Sequence, residues 1–309
     1  MALAASEVLR PRVLVETADM PRERWVAMRR RYLGASEAAA VAGLSPWSSA
    51  LEVYLRKVGA FPEAEETESM RFGTLLEPIV ADEFARRTGL TLRRRNAVLQ
   101  HPVLDYVACN VDRFATEPDG TRVPVECKTA GEWSADQWDD ERVPDHYRVQ
   151  VLHQLAVVPA PHAWIVALLG GNRLVWRRIE RDERAIAALL EIERRFWTEH
   201  VVLRSPPPAE APDLRALAAL YPDSTEERVA LPPEAADALR QYREAGAAAH
   251  AAETARDAAK ARLEQWMGAA AEGWLDGRRV CTWRAVHRDA HTVAASDSRT
   301  FRLAKGAGQ

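Results

Sequence analysis

Apolar residues recur at helical intervals in some stretches of this chain and alternate with polar ones in others. Between Gly73 and Thr88 the positions Leu76, Ile79, Val80 and Phe84 predict an amphipathic helix, closed by Gly89. Pro78 fits such a helix only near its start, because it lacks an N–H and crowds the preceding turn. Further helices are expected from Pro21 to Arg31, with Trp25 and Met28 on one face, and from Ala38 to Ala42, where Ser36 can serve as N-cap. Three more are expected over Ser49–Val58, Tyr147–Val158 and Glu183 to about Val201. Strand-like alternation marks Thr91–Arg94, Ala97–Gln100, Tyr106–Val111, Val123–Lys128, Trp164–Leu169 and Leu174–Ile179. The turns Pro118-Asp119-Gly120 and Gly170-Gly171-Asn172 join the last four into two hairpins. Residues 1–20 show neither period and read as loosely structured, and the acidic stretch 63–68 reads as a loop.

Beyond the last of these helices the pattern changes. Residues 205–233 are rich in proline, including Pro206-Pro207-Pro208 and Pro232-Pro233, as in a semi-rigid linker or strap. Glu234 to Met267 is alanine- and charge-rich and reads as one long helix or two. Trp274 to Trp283 reads as a hairpin turning at Asp276-Gly277. The expected organisation is an N-terminal extension (1–20), a main domain (21–204), a linker (205–233) and a helical and hairpin C-terminal region (234–309).

Composition narrows the class. Charged residues are 28% and hydrophobic ones 47% of the 309, which is globular, and the net charge of −3 excludes a uniformly basic nucleic-acid coat. Any contact with phosphate must therefore be local, as at Arg29-Arg30-Arg31 or Arg93-Arg94-Arg95. Three scattered cysteines, Cys109, Cys127 and Cys281, offer no disulfide framework, zinc spacing or iron–sulfur set. No apolar run reaches the length of a membrane span, and the N-terminus lacks a signal-peptide pattern. The chain is expected to be soluble and cytoplasmic, in a bacterial or phage-infected host cell.

The chemistry concentrates in Val111-Asp112-Arg113 and Val123-Pro124-Val125-Glu126-Cys127-Lys128. On a strand Glu126 and Lys128 share a face and Cys127 points away. Two carboxylates and a lysine in one place suit metal-dependent phosphodiester cleavage: the acids hold a divalent cation, and the lysine steadies an attacking water or a phosphate. Glu77, flanked by Leu75, Leu76, Ile79 and Val80, is a further acid of interest.

The order helix acid, strand Asp, hairpin, Glu-x-Lys resembles the PD-(D/E)xK nuclease superfamily. The wider chain resembles its YqaJ-type viral recombinases, related to the phage lambda exonuclease. The resembling segments include Leu33-Gly34-Ala35-Ser36-Glu37, Gly43-Leu44-Ser45-Pro46-Trp47, Gly73-Thr74-Leu75-Leu76-Glu77-Pro78 and Pro144-Asp145-His146-Tyr147-Arg148-Val149-Gln150. They span about residues 22–200. The resemblance implies an α/β fold: a nuclease core of central mixed sheet flanked by helices, here with the helical appendage and small hairpin. It implies a Mg²⁺-dependent 5′→3′ exonuclease, with Mn²⁺ as substitute, that degrades linear double-stranded DNA for single-strand annealing recombination. Asp112, Glu126, the Cys127 carbonyl and Glu77 match metal ligands. Lys128 matches the residue that positions or activates water, and Gln150 the helix glutamine lining the same site. Arg29 and Ser36 match positions that grip the terminal 5′-phosphate, although Ser36 is equally a plain N-cap by residue type. The implied partners are double-stranded DNA ends, an annealing protein and further copies of the chain in a ring trimer, with no membrane. His146 and His153 read as packing or DNA-facing residues, and Trp47, Trp133 and Trp138 as packing rather than base-stacking residues. The competing readings are a structure-specific or Cas4-like endonuclease of the same superfamily, and a non-catalytic DNA-binding protein on the same fold.

Overall fold

The computed structural model describes residues 10–61, 67–210, 213–221 and 223–287. The chain divides into two units, Met1–Leu220 and Tyr221–Gln309. The acidic segment 63–66, residues 1–9 and residues 288–309 lie outside the described residues.

The first unit is arranged around strand β4 (Val107–Thr116), where Val107, Cys109, Val111 and Ala115 are buried on one parity. On one edge β4 pairs antiparallel with β3 (Thr91–Gln100). Its other edge is shared. Strand β2 (Leu33–Gly34) runs parallel to Val107 and Ala108, and β5 (Arg122–Ala130) runs antiparallel to Arg113–Thr116. Among the described residues, no strand pairs with positions 109–112 on that edge. The sheet continues outward through β1 (Arg12–Glu16) beside β3, then β6 (His162–Leu169) parallel to β5, and β7 (Arg173–Glu180) antiparallel to β6. A parallel β5–β6 pair requires a crossover, supplied by the 3₁₀ segment Glu132–Trp138 and helix α5 (Asp145–Val157). The sheet is thus mixed and flanked by helices, as expected.

The first three helices are α1 (Arg22–Arg29), α2 (Ala35–Val41) and α3 (Ala50–Val58). Helix α4 (Glu68–Thr88) begins five residues before the expected Gly73, because the Thr67 side chain accepts the Met70 N–H as a cap. Pro78 therefore lies well inside α4. Gly89 ends the helix with φ at 75°, where glycine is favoured. Helix α6 (Glu183–Arg195) runs on as a π-helical segment over Phe196–Val202. Phe84 of α4 is fully buried and packs on Trp164 and Trp176, with ring centroids 5.7 and 6.0 Å away.

Several local expectations are corrected. Residues 12–16, expected as loose structure, form an edge strand held by its neighbour β3. Thr91–Arg94 and Ala97–Gln100 are one strand with an irregular register at Arg95. Strand β4 runs on to Thr116, so Asp112 lies inside a strand and not at a turn. The α2 cap is Gly34, whose N–H is taken by the Glu37 carboxylate at 2.9 Å; Ser36 is already within the helix. Residues expected in the linker pack on the first unit up to Leu220. Helix α7 (Leu214–Leu220) buries Ala216 among Leu33, Leu51 and Phe196, and Asp213 accepts from the Ser49 hydroxyl.

In the second unit α8 (Ala235–Met267) is a single uninterrupted helix. The hairpin of β8 (Glu272–Leu275) and β9 (Arg278–Thr282) turns through Asp276 and Gly277, both at positive φ. Among the described residues, no helix is long and apolar enough to cross a membrane.

Phe84→Ala removes the ring that joins α4 to β6 and β7. Chemical denaturation is expected to show a loss of about 3–5 kcal/mol; a loss under about 1 kcal/mol would mean the site collapses without a cavity.

Candidate active site

The site forms where β4 loses its partner. The β4–β5 ladder ends at Arg113–Val125, and the next positions outward are Asp112 and Glu126. Asp112 Oδ2 accepts the Cys127 N–H at 2.8 Å. The N–H and C=O of one residue leave a strand on the same edge, so the Cys127 carbonyl also faces β4.

Side chains of helix α5 and of β4 itself complete the unpaired edge. The carbonyls of Ala108, Asn110 and Asp112 accept from His153 Nε2 at 3.0 Å, Gln154 Nε2 at 3.2 Å and Arg113 Nη1 at 2.7 Å. A buried carbonyl must find a donor, and here no strand supplies one. His153 is fully buried with Nδ1 2.7 Å from Glu193 Oε1. Burial opposes its protonation, but Glu193 and the Ala108 carbonyl outweigh this and raise its pKa.

Glu126 is buried and densely bonded. Its Oε1 accepts from Gln150 Nε2 at 2.5 Å and lies 2.7 Å from Lys128 Nζ; its Oε2 accepts from Gln154 Nε2 at 2.5 Å. Lys128 also donates to Gln150 Oε1 at 2.9 Å and lies over the Tyr147 ring. Burial alone would lower the Lys128 pKa, but the charge and hydrogen bond of Glu126 raise it, so it stays cationic. Burial, and then the charge of Glu126, push Asp112 up to about 8. Two carboxylates in one low-dielectric place repel, and a cation between them relieves that cost.

Among the described residues, no three His, Cys, Asp or Glu side chains converge to hold a metal unaided. Asp112, Glu126 and the Cys127 carbonyl are instead an all-oxygen set of two carboxylates and one carbonyl. That set fits a small hard cation that keeps several of its waters. Glu77 is held by arginines: its Oε1 lies 2.6 Å from Arg113 Nη1 and 3.8 Å from Arg94, and its charge adds to those that raise the Asp112 pKa. Arg113 thereby ties Glu77 to the backbone of Asp112.

The structure also brings Arg29 and Ser36 together. Arg29 Nη2 lies 3.3 Å from Ser36 Oγ and 3.3 Å from Glu37 Oε1, with its guanidinium over Trp25. Beneath them Lys57 Nζ is buried and spends its donors on Glu37 Oε2, Arg29 O and Tyr32 O at 2.5–2.6 Å. Burial pulls both members of this pair toward neutrality, but Lys57, Arg29 and the Gly34 N–H together hold the Glu37 carboxyl below its usual range. Of the tryptophans, Trp138 is buried, whereas Trp47 is 62% and Trp133 81% exposed. Trp47 lies edge-on to His146, 4.6 Å between centroids.

Residues 24–161 match the model of the YqaJ-like viral recombinase domain. This segment is similar to that domain. The uncharacterized protein YqaJ of Bacillus subtilis (strain 168) is 38% identical over 196 residues, covering 62% of this chain and 60% of that protein. The chain thus spans about 60% of the length of the curated relative it matches. Among solved structures, LHK-Exo in complex with dAMP superposes with a TM-score of 0.50 at 21% identity, over 59% of this chain and 94% of that one. The alkaline exonuclease LHK-Exo from Laribacter hongkongensis gives 0.48 at 20% identity, over the same shares. The phage-related exonuclease from Haemophilus somnus 129PT gives 0.47 at 12%, over 59% and 98%. The first of these likenesses establishes a shared fold.

Gln154, Arg113 and the Glu37–Lys57 pair were not among the site residues expected from the sequence. Gln154 was signalled by its place one helical turn after Gln150. Arg113 was signalled as a charge on the same strand parity as Cys109, Val111 and Ala115. Lys57 carried no local signal, since its partner lies 20 residues away.

Because the folded pKa of Glu37 lies below its unfolded value, its stabilisation is complete above the ordinary carboxylate range and is lost as pH falls through the depressed value. At neutral pH Glu37→Gln leaves Lys57 buried without a counter-charge and should cost about 3–5 kcal/mol. Thermal melts across pH are expected to show this gap shrinking below the ordinary carboxyl value of 4.5. A gap that stays constant through acid pH would show that Glu37 is not the anion in this pair.

Proposed function

We propose that residues 21–204 form a divalent-metal-dependent exonuclease that degrades linear double-stranded DNA in the 5′→3′ direction. The observation that carries this reading is the meeting of Asp112 and Glu126 at the unpaired edge of β4, with Lys128 ion-paired to Glu126. On this reading Asp112, Glu126 and the Cys127 carbonyl hold Mg²⁺, with Mn²⁺ able to replace it, and Glu77 completes the metal site through water. Such a cation supplies Lewis acidity at the scissile phosphate and makes bound water more acidic. Lys128, kept cationic by Glu126, places its ammonium against the negative phosphate or the attacking water. Gln150 fixes both Lys128 and Glu126 and so sets their spacing.

Arg29 and Ser36 are proposed to hold the terminal 5′-phosphate, where a guanidinium and a hydroxyl suit phosphate oxygens. Hydrolysis breaks the bond from phosphorus to the 3′-oxygen of the end nucleotide and joins the water oxygen to phosphorus. The released nucleotide keeps its own 5′-phosphate, and the shortened strand ends in a new one. Each turnover therefore regenerates the end that Arg29 and Ser36 would bind. The 3′-ended strand left behind is a substrate for a single-strand annealing protein, which makes such a protein a natural partner. A homotrimeric ring around the DNA and a cytoplasmic setting complete the proposal.

The test is Mg²⁺-dependent digestion of linear duplexes with and without a 5′-phosphate, beside closed circles. Mononucleotide release from phosphorylated linear DNA alone is expected; cut circles would favour an endonuclease, and no cleavage a binding role. Lys128→Ala should lower the cleavage rate by roughly 10²–10⁴-fold while gel-shift binding of the duplex persists. Undiminished cleavage by that variant would remove Lys128 from the site.

A further inference from the structure

Glu126 is gripped by two glutamines one turn apart on α5. Gln150 and Lys128 both occupy Oε1, whereas Oε2 takes a single protein donor, Gln154. A carboxylate has about two acceptor positions on each oxygen. Oε1 is therefore filled by protein, and the open position is on Oε2, in a direction that Gln154 leaves over.

The orientation of the Gln154 amide is fixed by its surroundings. Its Nε2 faces two acceptors, Glu126 Oε2 at 2.5 Å and the Asn110 carbonyl at 3.2 Å. Turned around, its oxygen would meet two oxygens. The side chain is fully buried, so no solvent competes for these bonds. The terminal torsion of a glutamate is soft, so without a second clamp the Glu126 carboxylate could rotate about the Gln150–Lys128 contact. Gln154 also reaches the unpaired edge of β4 and thus references Glu126 to the strand that carries Asp112.

We infer that Gln154 is a positioning residue: it presents Oε2 of Glu126, rather than Oε1, to the divalent cation, at a fixed place relative to Asp112. The inference rests on the proposal above that Glu126 holds the metal. Gln154→Met keeps the volume and removes the donor. Titration calorimetry of MnCl₂ into the full chain without DNA should show affinity falling by roughly 10- to 100-fold, the usual effect of removing a partner of a metal ligand. The Mg²⁺ concentration for half-maximal cleavage should rise by a similar factor, with KM for DNA unchanged at saturating Mg²⁺. A merely structural role would lower Tm without moving the metal dependence. Glu126→Gln is the control. If it binds Mn²⁺ like wild type, the metal assignment falls and this inference with it. If it loses binding while Gln154→Met keeps wild-type affinity, the role of Gln154 alone is overturned. Should Gln154→Met fail to fold, Gln154→Asn carries the test: it retains an amide one methylene short of Oε2, and the same loss of affinity is expected.

Discussion

A β-strand edge left without a partner inside a folded domain is costly unless its carbonyls find donors. In this protein that cost falls on residues 109–112 of β4, between the end of the β2 pairing and the start of the β5 pairing. The chain meets it with side chains: His153 and Gln154 from α5 and Arg113 from β4 itself. The substitution of side chains for a strand creates the site, because the space a neighbouring strand would fill is where Asp112 and Glu126 stand. The position of α5 is thereby tied to the sheet by hydrogen bonds as well as by the apolar packing of Val151 and Leu155.

The charges around this opening form a graded series. Glu193 is neutralised by His153 deep in the core, Glu126 by Lys128 at its margin, and Glu77 by Arg113 and Arg94 beyond it. Asp112 has no cationic side chain within ion-pairing distance among the described residues and is stabilised by a single backbone N–H. Burying an uncompensated carboxylate is expensive, so Asp112 takes up a proton more readily than a free carboxyl does. The second cluster, Glu37 with Lys57 and Arg29, is the opposite case. There one carboxylate collects two cations, and Arg29 remains partly exposed beside the Ser36 hydroxyl.

Much of this was legible because it depends on local periods. Strand parity alone put Glu126 and Lys128 on one face, and the Pro118-Asp119-Gly120 turn gave the hairpin that brings Asp112 near them. Helical spacing placed Gln150 on α5. What escaped depends on contacts between distant segments. Nothing near Asp112 states where β2 stops pairing with β4, and so the gap was invisible. The edge strand β1 has only one neighbour, and its five residues alternate too weakly to stand out. Pro78 was assigned to a helix start by a sound local rule, but the Thr67 cap moved that start upstream. Ser36 was read as a cap because the carboxylate that satisfies the Gly34 N–H comes from Glu37, one residue further on.

The bond from the Cys127 amide to Asp112 Oδ2 has a practical meaning. The proton on that nitrogen sits against the one carboxylate in the site that lacks a cationic partner. Its magnetic resonance frequency is therefore set by the charge density on that oxygen. Any proton or cation that arrives at Asp112 draws density away and shifts a single backbone signal. The fold thus carries its own indicator of site occupancy, readable in a nitrogen-15-labelled chain with no substrate present.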